Sequence, residues 1–81
     1  MPVRVRIVQD GYCLAVARVL QIDRAAGRVL LQVEPDSVRA PAGTELPARW
    51  WYQQKDDTWV AEGAKLACRI RAMDPPGGAR G

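Results

Sequence analysis

Apolar and polar residues alternate with a period of two along much of this chain. Val3, Val5 and Ile7 interleave with Arg4, Arg6 and Val8, the pattern of a strand with one buried side. Asp10-Gly11 interrupts it as a turn. Residues 12–22 are ambiguous on their own, because Tyr12, Val16, Val19 and Leu20 would share one helical face and Asp10 would cap it. The next residues decide for strand. Asp23-Arg24-Ala25-Ala26-Gly27 reads as a hairpin loop, with Asp opening it and Gly27 taking a positive φ. Arg28-Val29-Leu30-Leu31-Gln32-Val33 returns at once as a β-rich segment. The pattern predicts a long antiparallel hairpin over 13–22 and 28–34.

Pro35, Pro41, Gly43 and Pro47 make 35–47 a connection with room for one short helical turn. A second hairpin follows: a strand over 46–54, the polar turn Lys55-Asp56-Asp57, and a return over 58–61. After Glu62-Gly63, residues 65–72 alternate again as a last strand. Residues 74–81, rich in Pro and Gly, read as a disordered tail. The expected organisation is one domain over 1–73 followed by that tail.

Five or six short strands in a flat sheet would leave unpaired edges, and closure removes them. The expected fold is therefore all-β, a small five- to six-stranded antiparallel barrel. The strand pattern resembles SH3-like or OB-like barrels and does not choose between their strand orders.

Neighbouring residues on a strand point to opposite faces, so Trp50 and Trp51 must part. Leu46, Ala48, Trp50 and Tyr52 form one apolar row, and Arg49, Trp51 and Gln53 a more polar one. This reading sends Trp50 and Tyr52 inward and Trp51 outward. Val3, Val5, Ile7, Leu66, Cys68 and Ile70 are expected inside. Should the terminal strands pair, Arg4, Arg6, Arg69 and Arg71 converge outside on one basic face. Trp59 joins Trp51 after a turn of odd length and Trp50 after an even one.

Composition narrows the function. The 81 residues are 48% hydrophobic and 26% charged, an ordinary globular balance. Twelve basic residues against nine acids leave a net charge of +3, a mild bias toward anionic partners. Met1-Pro2-Val3-Arg4-Val5-Arg6 lacks the apolar segment of a secretion signal, and no apolar run approaches the roughly 20 residues that span a bilayer. The expected location is the cytoplasm, with no membrane partner. Cys13 and Cys68 stand far apart and there is no His, so neither a zinc site nor any other cofactor is expected.

Catalysis is the weakest class. His, the commonest general base, is missing, and Ser37, the sole serine, has no base beside it. Asp56 and Asp57 suit a turn, while Glu34, Asp36 and Glu45 flank the long connection and read as solvated. Gly77-Gly78 opens no helix and cradles no phosphate. What remains is a non-enzymatic binding module. Trp51, Arg49, Arg4, Arg6, Arg69 and Arg71 are its candidate surface, because Trp and Arg are enriched at protein interfaces. The favoured partner is another protein or a second copy of the chain. The alternative is single-stranded or structured nucleic acid, with bases stacked on Trp51 and phosphates on arginine.

Overall fold

Six strands form where the alternation predicts them: β1 Val3–Gln9, β2 Tyr12–Asp23, β3 Arg28–Val33, β4 Arg49–Gln53, β5 Trp59–Ala61 and β6 Ala67–Ala72. They close a barrel in the order β1-β2-β3-β4-β5-β6, every pair antiparallel, β6 against β1 included. This computed structural model describes residues 3–73, and the tail expected over 74–81 lies outside them. The sequential order contains no crossover, unlike the Greek-key order of an OB barrel.

Local chemistry sets each turn. Asp10 and Gly11 take φ of 51° and 81°, the two left-handed residues of a type I′ hairpin, and Gln9 pairs with Tyr12 across them. At the β2–β3 loop the Asp23 carboxylate accepts the Ala26 N–H at 3.2 Å, and Gly27 has φ 67°. The proline-rich connection begins with one 3-10 turn, Pro35–Val38.

Two irregularities give β2 its shape. The pairing with β1 shifts between Ile7 and Val8, and Leu14 is the extra residue. The pairing with β3 shifts between Val19 and Gln21, and Leu20 is the extra residue. An extra residue bends a strand and reverses which side its later neighbours face. Ala15, Ala17 and Val19 thereby turn inward and Arg18 outward, while Leu14 and Leu20 stay exposed.

The core is narrow. Val5, Ile7, Ala15, Ala17, Leu31 and Cys68 are buried, and Val19, Val29, Val33, Trp51 and Ile70 pack against them.

Several expected orientations are corrected. Trp51 faces the core; Trp50 and Tyr52 lie on the other side of β4. The reason lies in where the strand begins. The apolar row that sent Trp50 inward borrowed Leu46 and Ala48, but β4 starts only at Arg49. Facing is set instead by β3, where Trp51 pairs with Val29, whose neighbour Leu31 is buried. Leu66 is exposed, because β5 is only three residues long and pairs no further along the last strand than Ala67. Val3 is exposed too, since β6 ends at Ala72, opposite Val5. Trp59 falls on the Trp51 side, across a five-residue connection, with Gln53 opposite.

Candidate binding surfaces

The barrel wall carries two distinct outer surfaces, one cationic and one aromatic. On the first, pairing of the terminal strands brings Arg4, Arg6, Arg69 and Arg71 together. Arg71 lies directly opposite Arg6, and Arg69 opposite Val8. Arg18, which sequence reasoning missed, joins them from β2 opposite Arg4. Only the Leu14 bulge makes this so; without it Arg18 would fall in the inward row.

Glu34 follows β3 and anchors one end of this surface. Its carboxylate accepts from Arg4 Nε at 2.8 Å and Arg4 Nη2 at 2.9 Å, a forked pair. Arg18 Nε approaches the same carboxylate at 3.6 Å. The Arg4 hydrogen bonds hold the Glu34 carboxyl below its ordinary range against the opposing effect of burial. Arg6, Arg69 and Arg71 are exposed and form no ion pair among the described residues.

The second surface is built on β3, β4 and β5. Trp50 lies opposite Leu30, Tyr52 opposite Arg28 on one side and Val60 on the other. The Arg28 guanidinium sits 3.9 Å from the centroid of the Trp50 ring, well within cation–π range. Asp23 holds it there, accepting from Arg28 Nε at 3.0 Å. That bond, helped by the Ala26 N–H, keeps the Asp23 carboxyl below its usual range. Leu30, Trp50 and Val60 are half-buried and Tyr52 is exposed. The visible signal for this cluster is the Asp23…Arg28 spacing across a hairpin loop, which sets the two residues opposite each other.

The other candidates separate. Trp51 belongs to the interior, which removes it as an outward anchor. Arg49 shares the Trp51 side of β4, stays exposed at the strand start and is remote from the β1–β6 arginines. Ser37 is structural: its Oγ accepts the Val16 N–H at 2.9 Å and has the Glu34 and Val16 carbonyls at 2.7 and 3.2 Å as acceptors. It continues the β2 ladder where β3 has ended.

Glu34, Asp36 and Glu45 line one groove of about 810 Å³ beneath the 41–47 crossing, which Gln32 Nε2 pins by donating to the Leu46 carbonyl at 3.2 Å. Among the described residues no group of three or more His, Cys, Asp or Glu is placed to hold a metal ion. Cys13 is exposed and Cys68 buried, both as free thiols, and burial pushes the Cys68 thiol up. No helix among the described residues is long and apolar enough to cross a membrane. Comparison with protein-family models, with curated proteins and with solved structures finds no match to this chain.

Proposed function

We propose that this chain is a non-enzymatic binding module that recognises a partner protein through the outer surface of β3, β4 and β5. The observation that carries the reading is the Arg28-capped Trp50 ring beside Leu30, Tyr52 and Val60. Trp, Tyr and Arg dominate interface hot spots because they combine large apolar area with directed polar groups. A single-stranded nucleic acid fits this surface less well. Base stacking needs an open ring face, and here a guanidinium covers one face of the indole and is held by Asp23. A cytoplasmic location agrees with two unpaired thiols in one small domain.

The test places a photo-crosslinking residue at exposed Glu62, whose N–H bonds the Trp50 carbonyl at 2.8 Å, and a control at exposed Ala42. Irradiation in the expressing cell is expected to give a discrete adduct from position 62 and none from 42. Trp50→Ala abolishes that adduct. Sedimentation of the purified chain shows whether the partner is a second copy. Adducts indifferent to Trp50→Ala overturn the reading.

A further inference from the structure

The arginine surface follows a different logic from the aromatic one. Along β1 the outward positions are Arg4, Arg6 and Val8. Each arginine there has an arginine directly across from it: Arg18 faces Arg4 on β2, and Arg71 faces Arg6 on β6. Like charges directly opposite on neighbouring strands destabilise a sheet. The molecule itself shows how one of these pairs is relieved. The Glu34 carboxylate lies between Arg4 and Arg18, at 2.8 and 3.6 Å. The Arg6–Arg71 pair repeats the arrangement one rung along, with Arg69 beyond it, and has no acid within ion-pair distance among the described residues.

A guanidinium presents a planar fork that suits the oxyanions of carboxylate and phosphate alike. Arg69 and Arg71 are two residues apart on one strand, so their stems are separated by about 6.8 Å along it. That suits a ligand with regularly repeated anions. Arg71 and Arg69 run along β6, and Arg6 stands beside Arg71 on β1, so the three make a compact triangle on the convex outer wall, which a curved phosphate backbone meets more fully than a planar membrane does. No aromatic side chain lies in the rows that carry them, which leaves the backbone, and not the bases, as the part that is read.

We infer that Arg6, Arg69 and Arg71 form a second binding surface, for the sugar–phosphate backbone of a duplex nucleic acid, with Glu34 acting as an internal anion that keeps Arg4 and Arg18 out of that contact. Binding is then independent of base sequence and strongly dependent on salt. Three neutralised phosphates give a slope of about −2.7 in log affinity per log salt, so affinity falls about 40-fold between 50 and 200 mM salt.

The experiment is fluorescence anisotropy of the full chain with a labelled 20-base-pair DNA duplex across a salt series. Three variants accompany it. Arg6→Gln/Arg69→Gln/Arg71→Gln is expected to lose about tenfold or more in affinity at 50 mM salt and to flatten the slope. Arg24→Gln/Lys55→Gln/Lys65→Gln removes the same charge from exposed positions elsewhere and is expected to keep most of the binding. Glu34→Gln releases Arg4 and Arg18 and steepens the slope by about 0.9 for each arginine freed. Circular dichroism confirms that each variant is folded. Equal losses in the two triple variants overturn the inference, since net charge alone would then account for binding. So does binding to phosphatidylserine vesicles that depends on Arg6, Arg69 and Arg71, without binding to the duplex.

Discussion

The two outer surfaces of this barrel use arginine in opposite ways. On β3–β5, Arg28 is engaged: Asp23 accepts from its Nε and its guanidinium carbon lies over the Trp50 ring. On β6–β1, Arg6, Arg69 and Arg71 face solvent with no acid paired to them. The first arrangement organises an apolar patch around a fixed cation. The second leaves cations available. Residue type alone therefore does not say what a surface arginine does; its cross-strand partner does, because partners 4.5–5.5 Å apart between Cβ atoms set the local field.

The comparison is broken most severely from beneath, through the core both surfaces share. Leu31 is 1% exposed and pairs with Val19 on one side and Arg49 on the other. Leu31→Ala is expected to cost about 2–5 kcal/mol, read as a lower urea midpoint. Both surfaces should loosen together, and a loss confined to one would show that they fold as separate units. Ser37→Ala comes next, at about 1 kcal/mol for a lost hydrogen-bond clasp. Its effect is expected on the arginine side, as faster amide exchange at Val16, whose N–H would lose its acceptor.

Acid sharpens the contrast further. The Glu34 and Asp23 carboxyls both lie below their ordinary values of 4.5 and 3.8, each held chiefly by an arginine hydrogen bond. The unfolded chain therefore takes up protons at higher pH than the folded one. The stabilisation from Glu34 is complete above its ordinary value of 4.5 and is lost as pH falls through its depressed native value. Asp23 behaves in the same way below 3.8. In a pH series of urea midpoints, Glu34→Gln is expected to flatten the upper part of the acid limb and Asp23→Asn the lower part. An acid limb unchanged by either variant would mean that neither ion pair forms in solution. The smallest effect is expected from Arg28→Gln. Its midpoint should stay near that of the parent chain, while removal of the cation changes tryptophan emission. Glu34→Gln should leave that emission alone.

Much of the architecture is legible in the residues. Period-two alternation, Asp-Gly and Asp…Gly turn chemistry and the clustered prolines locate the strands and the 35–47 connection, because these are local signals read within a few residues; where in that connection the 3-10 turn falls is not among them. The candidate site is less legible. Arg4, Arg6, Arg69 and Arg71 meet as the alternation suggests, but Trp50, Arg28 and Arg18 are missed and Trp51 is misplaced. Each miss traces to a quantity that is not local, such as the residue at which β4 begins or a bulge in β2.

By itself, then, the sequence determined that this is an antiparallel all-β chain, where its turns fall, and that neighbouring tryptophans must face apart. Only the tertiary structure decided which tryptophan faces in and which arginines stand together. The physical reason is that side-chain facing has a period of two, so one residue of offset exchanges inside for outside: the extra Leu14 does this for Arg18 in β2, and pairing with β3 from Arg49 onward does it for the tryptophans of β4. Whether Leu14 is accommodated depends on what β1 and β3 can pack against it. Alanines at 15 and 17 fit the narrow interior, whereas the other register would place Arg18 there.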